Sequence, residues 1–198
     1  PIEVFGYAGS QCNISCAFCY NRGNPPSLVL GNLQRTPETE YHEMMTRLRY
    51  FDPRARSSLY PALGDIYEVL AHPFILDILR PLREKTDKPF RIATNSAALT
   101  SKMIGELARL KPIYLYISTH GVVETDRIQT MKDGALCIPV ATLQNLKDAG
   151  IPFAIVLVPW PVGQSLPVVL DSITGTVDSA QDCLAHLIEI NLPGYTGY

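Results

Sequence analysis

The 198 residues carry a formal net charge of −2 and a pI near 6.1, which gives no sign of the broadly basic surface of a nucleic-acid binder. Hydrophobic residues make up 46% and charged residues 18%, the balance of a chain that folds round one sizeable core, not a disordered one. No apolar run reaches the roughly 18–20 residues of a membrane helix. Five cysteines, an odd number, argue against a disulfide framework and for a reducing, cytoplasmic setting. No secretory pattern is visible, and the chain opens at Pro1 instead of Met, as a processed or trimmed piece would.

Taken in order, Ile2 to Tyr7 alternates and runs into Gly9-Ser10, which predicts a first strand. A cysteine-bearing loop follows and continues through Gly23, Pro25-Pro26 and Gly31, all helix breakers. Thr36-Pro37 reads as an N-cap with proline at the first helical position, opening a helix to about Tyr50. Ser57 to Leu63 is a second strand, and Pro73 opens the next helix. Phe90 to Thr94 is a third strand, followed by a helix capped by Thr100. Ile113 to Ser118 is a fourth strand, with a polar connection over 124–134 after it. A helix from about Pro139 to Ala149 stops at Gly150. Phe153 to Val158, continuously apolar, is a fifth strand buried on both faces. Leu166 to Gln181 reads as a weaker helix interrupted at Thr174-Gly175-Thr176, and His186 to Asn191 as a sixth strand.

Strands alternating with helices require an α/β fold with a mostly parallel sheet and right-handed crossovers. Six strands are two short of a full (β/α)8 barrel, and no G-x-G-x-x-G follows a strand, so the expectation is an open, six-stranded (β/α)6 partial barrel forming a single domain over residues 1–198.

The most specific feature is Cys12-Asn13-Ile14-Ser15-Cys16-Ala17-Phe18-Cys19-Tyr20. Three thiols spaced C-x3-C-x2-C suit a loop wrapped round a metal cluster. They are one short of the four protein ligands that close a [4Fe–4S] or zinc site, which leaves an open coordination position. With Phe18 and Tyr20 flanking the last cysteine, this loop resembles that of the radical S-adenosylmethionine (radical SAM) enzymes. The resemblance implies that Cys12, Cys16 and Cys19 hold a [4Fe–4S] cluster and that SAM chelates the fourth iron. It also implies that an electron from an external donor cleaves SAM to a 5′-deoxyadenosyl radical, which abstracts hydrogen from a small-molecule or peptide substrate.

Parallel barrels place their chemistry at the C-terminal ends of the strands. After the second strand, Gly64-Asp65 stands where the family carries a Gly-Gly-Glu-Pro-like segment for the SAM amino group; the proline is absent here. Glu68 and Tyr67 follow as candidate acid–base groups. Thr94-Asn95-Ser96 offers short polar side chains suited either to SAM or to the backbone of a turn. Ser118, with His120 where an acid is common in the family, is similar to the family's Ser-x-Asp-Gly segment, and Arg127 follows where many members carry an arginine near the SAM carboxylate, with a solvated surface arginine as the other reading. His120 is a further candidate acid–base group or a histidine that satisfies local backbone. Val158-Pro159 is placed to meet adenine beside Phe18 and Tyr20, and Trp160 to line a substrate cavity or pack on the rim. Cys137 and Cys183 read as small buried hydrophobes, with a radical-accepting thiol or second-cluster ligand as the other reading. The competing reading of the whole chain is a non-catalytic iron–sulfur or zinc-binding module for redox sensing or docking. The later segments, ending in Gly194-Tyr195-Thr196-Gly197-Tyr198, are similar to an uncharacterised radical SAM group with an appended PDZ-like domain.

Overall fold

The computed structural model describes residues 5, 12–16, 19, 35–54, 61–63, 67–118, 140–159 and 165–191. Five parallel strands form one sheet in the order β1-β2-β3-β4-β5: β1 Ala62–Leu63, β2 Phe90–Thr94, β3 Ile113–Ser118, β4 Phe153–Leu157 and β5 Leu187–Ile190. These are the second to sixth strands expected from sequence. The expected first strand lies outside the described residues apart from Phe5, whose carbonyl accepts a hydrogen bond from the Ala62 N–H at 3.2 Å, on the edge of β1 away from β2. Spatial order follows chain order without a reversal, so right-handed crossovers place successive helices on one face, as in a barrel and unlike a doubly wound sheet.

Five α-helices are described. α1 (Pro37–Tyr50) is capped by Thr36, whose hydroxyl accepts from the Thr39 N–H, and begins with proline. Glu38 and Glu40 lie in its first turn and Arg47 and Arg49 in its last, each complementing the helix dipole. α2 (Ile75–Lys85) starts two residues beyond Pro73 because a 3₁₀ turn over Val69–Ala71 comes first. α3 (Ser101–Arg109) is capped by Thr100, which accepts from Met103 N–H at 3.1 Å. α4 (Val140–Asp148) closes at Gly150, where φ is +61° and only glycine sits without strain.

α5 (Leu166–Asp182) corrects one expectation, because it runs unbroken through Thr174-Gly175-Thr176. The Thr174 and Thr176 hydroxyls donate back to the carbonyls of Leu170 and Ser172, which satisfies them inside the helix. Burial of Val169, Thr176 and Ala180 outweighs the roughly 1 kcal/mol that a mid-helix glycine costs.

The core lies between helices and sheet. Ile78, Leu79 and Leu82 of α2, Leu107 of α3 and Leu146 of α4 pack with Phe90, Ile92, Leu115, Ile117 and Ile155, all essentially inaccessible. On β2 and β3 every second residue enters this core, so Arg91, Ala93, Tyr114, Tyr116 and Ser118 point to the opposite, inner face. Cys183, at the end of α5, is buried in the same core, and burial pushes its thiol up, as the small-hydrophobe reading expects. Cys137 lies outside the described residues.

Candidate active site

The 3₁₀ turn that follows β1 is clamped at both ends by a buried ionisable side chain. At its start Glu68, only 2% exposed, accepts from the Leu70 N–H (3.1 Å) through Oε1 and so caps the turn. The same oxygen accepts from the Thr94 hydroxyl at 2.8 Å, and Oε2 accepts from the Asn95 N–H at 2.5 Å. One carboxylate thus joins the turn after β1 to the end of β2, with three hydrogen bonds to a charged acceptor. At the turn's end, His72 Nδ1 accepts from the Phe74 N–H at 3.1 Å, which leaves Nε2 to carry the proton, 3.5 Å from Oε2 of Glu40 on α1. Burial pulls the His72 imidazole below its usual range, and the Glu40 carboxylate works against that shift.

Beyond β2 the backbone turns sharply. Ser96 sits at φ +68°, a left-handed conformation unusual for serine. The turn is held by Thr94 Oγ1, which accepts from the Ser96 N–H, and by Asn95 Oδ1, which accepts from the Ala97 N–H. Two of the three polar residues therefore bond the turn itself. Asn95 also reaches outward, since its Nδ2 donates to Oδ1 of Asn13 at 2.8 Å. That bond ties the cysteine loop to the C-terminal end of β2.

Within the loop Cys12 is exposed and Cys16 and Cys19 are half-buried, and none is in a disulfide. The Cys19 N–H donates to the Cys16 carbonyl at 3.2 Å, and the Cys12 thiol to the Ile14 carbonyl at 3.5 Å. Among the described residues, no group of three or more His, Cys, Asp or Glu side chains stands close enough to hold a metal ion, so the three thiols do not converge on one point. As a donor set, three reduced, accessible thiols on a loop at the C-terminal end of the sheet fit a thiolate-held cluster.

Tyr67 is half-buried next to Glu68, Ser118 is half-buried at the end of β3, and Val158 and Pro159 are half-buried just past β4. The structure therefore brings Glu68, Thr94 and Asn95 together with Asn13, and leaves Ser118 and Val158-Pro159 at the ends of the next two strands. Phe18, Tyr20, Gly64, Asp65, His120, Arg127 and Trp160 lie outside the described residues. Sequence reasoning passed over Asn13, a polar residue in a cysteine-rich loop, and over Arg91, Tyr114 and Tyr116. The last three had a legible signal, since they alternate with apolar residues on two adjacent strands.

No family model and no curated protein matches the sequence. Solved structures do match. The chain is similar to Streptococcus suis SuiB bound to S-adenosylmethionine, with a TM-score of 0.68 and 18% identity over 100% of this chain and 42% of that one. It is similar to anSMEcpe with bound AdoMet, with a TM-score of 0.62 and 13% identity over 96% of this chain and 50% of that one. It is also similar to the radical S-adenosylmethionine methyltransferase TsrM from Kitasatospora setae with cobalamin and a [4Fe-4S] cluster bound, at TM-score 0.61 and 12% identity, covering 96% of this chain and 34% of that one. The chain spans 40–42% of the length of the SuiB structures it matches. Among the described residues no helix is long and apolar enough to cross a membrane. At these identities the likeness is one of fold, and the chain has the fold of a radical SAM core domain, a partial barrel of parallel β/α units.

Proposed function

We propose that this chain is the catalytic core of a radical SAM enzyme, with Cys12, Cys16 and Cys19 as thiolate ligands of a [4Fe–4S] cluster. The observation that carries the reading is the anchoring of a C-x3-C-x2-C loop, through Asn13 and Asn95, to the strand end where a parallel barrel does its chemistry. When bound, the cluster and SAM supply a 5′-deoxyadenosyl radical by one-electron cleavage, with the electron from an external donor. The chain's own part is to bind and to position. Glu68 enters as a positioning group, since it fixes the turn after β1 against the end of β2. Gly64, Asp65, Thr94, Asn95, Ser96, Ser118, Arg127, Val158 and Pro159, with Phe18 and Tyr20, are the proposed surroundings of SAM. Tyr67 and His120 are the proposed proton-handling groups. Positioning dominates the outcome, because a primary alkyl radical attacks whichever C–H bond is held near it.

SuiB is known bound to a precursor peptide and anSMEcpe bound to peptides, which supports a peptide as one substrate class beside a small molecule. The fraction of those chains that is matched supports a place as the core of a longer protein, and a PDZ-like appended domain belongs to the same proposal. A thiolate cluster with one open iron calls for a reducing, cytoplasmic setting.

The test is anaerobic reconstitution with iron and sulfide, then electron paramagnetic resonance of the reduced protein with and without SAM. The expected result is a [4Fe–4S] signal that SAM alters, and its loss in Cys16→Ala. A zinc-only protein, or a cluster signal that ignores SAM, overturns the reading in favour of a closed, non-catalytic metal module.

A further inference from the structure

The inner face of the sheet carries a second polar group, at the N-terminal ends of the strands and so at the opposite end from the cysteine loop. Parallel register sets Arg91 on β2 beside Tyr114 on β3, with Tyr116 one step along the same face. Together with Pro89 and Phe90 these side chains line a cavity of about 280 Å³. That volume lies just below the usual range of small-molecule pockets and suits a ligand of amino-acid size.

The cavity's walls are preorganised. The Arg91 guanidinium lies 4.2 Å over the ring of Tyr116. The Tyr114 and Tyr116 rings are 5.1 Å apart, and His186 meets Tyr114 edge to face at 6.3 Å. Arg91 Nε is buried and has no hydrogen-bond partner among the described residues. Arg83, at the same end of the sheet, shows what a structural arginine looks like here. It stacks over Phe90 at 3.7 Å and donates to the carbonyls of Thr86, Lys88, Leu110 and Pro112, which knits the starts of β2 and β3 together. Arg91 differs, because its Nε is buried and meets no acceptor among the described residues.

A guanidinium placed over an aromatic ring still carries its planar fork of N–H donors, and the partner that matches such a fork is a planar anion with two oxygens. Aromatic walls alongside take up a flat apolar body. We propose that this cavity is a binding site for a small carboxylic acid with a flat apolar body, its carboxylate on Arg91 and its body against Tyr114 and Tyr116. The site stands apart from the cysteine loop and does not depend on the reading of it.

The experiment is calorimetric titration of the full chain with 3-phenylpropionate, with the neutral 3-phenylpropanamide, and with inorganic phosphate. The expected result is that the acid binds and the amide binds about tenfold more weakly or worse, because the charge-assisted pair is lost. Phosphate, lacking the apolar body, binds more weakly than the acid. Arg91→Met removes the preference for acid over amide, and Arg91→Lys, which keeps the charge without the planar fork, weakens the acid by about tenfold. Equal binding of acid and amide, no binding of the acid, phosphate binding as tightly as the acid, or unchanged binding by Arg91→Met each overturns the proposal. If circular dichroism shows either variant unfolded, the acid–amide–phosphate comparison on the unaltered chain decides alone. No cluster or SAM is needed, so failure here and failure of the reconstitution are separate results.

Discussion

At the C-terminal ends of β1 and β2, Glu68, Thr94, Asn95 and Asn13 form one chain of hydrogen bonds that links a turn, a strand end and the cysteine loop. At the N-terminal ends of β2 and β3, Arg91 has a buried Nε with no acceptor among the described residues and sits over an aromatic ring beside a cavity. Each end is built round one charged side chain, Glu68 in the turn after β1 and Arg91 on β2, and β2 takes part in both. In the poorly solvated interior a satisfied polar group gives rigidity, whereas an unsatisfied one costs stability until something binds it. The first end is therefore a scaffold that positions a loop, and the second a site prepared for a ligand.

The contrast is broken most directly at Glu68. Glu68→Ala orphans two backbone N–H groups and the Thr94 hydroxyl, and the expected loss is about 3 kcal/mol or more, measured by urea unfolding. A loss below about 1 kcal/mol would remove the scaffold interpretation. Next comes Arg83→Met, which removes one donor from each of four carbonyls at the other end of the sheet, of which Pro112 keeps the Phe90 N–H, and is expected to cost about 2 kcal/mol. Asn95→Ala is expected to cost about 1 kcal/mol. Its sharper readout is the loop, since cutting the tie to Asn13 should speed alkylation of Cys12, Cys16 and Cys19; unchanged alkylation would mean the bond does not hold the loop.

His72 makes a smaller, pH-dependent contribution. Burial, opposed by Glu40, lowers its folded-state pKa below the unfolded value, so the folded protein binds this proton less readily than the unfolded chain. Its share of stability is full above the unfolded pKa of about 6.5 and is lost as pH falls from there through the lowered folded value. His72→Asn, which keeps an acceptor for the Phe74 N–H, should flatten the urea midpoint between about pH 7.5 and about pH 5.5, and an unchanged slope would exclude His72 as its source. The smallest effect belongs to Arg91→Met, expected to shift stability by no more than about 0.5 kcal/mol in either direction because relief of the unsatisfied Nε offsets the lost contact with the Tyr116 ring. A loss as large as that of Arg83→Met would make Arg91 a structural arginine as well.

What the sequence determined by itself was local. The periods of β2, β3 and α1, the caps at Thr36 and Thr100, the stop at Gly150 and the spacing of Cys12, Cys16 and Cys19 each depend on residues a few positions apart, where sterics and backbone hydrogen bonding act directly. From these the alternation of strands and helices, and hence the parallel barrel, followed by topology. The local rule failed at Gly175, where back-bonded threonines and a buried face keep α5 whole. Tertiary structure alone decided how distant polar groups meet. Glu68 and Thr94 are 26 positions apart and Asn13 and Asn95 are 82 apart, and no periodicity carries such a pairing. The same holds for the two arginines beside β2. Residue type makes Arg83 and Arg91 alike, but only the fold shows that carbonyls surround one and that the buried Nε of the other has no hydrogen-bond partner among the described residues, because a hydrogen bond is settled by where partners lie in space.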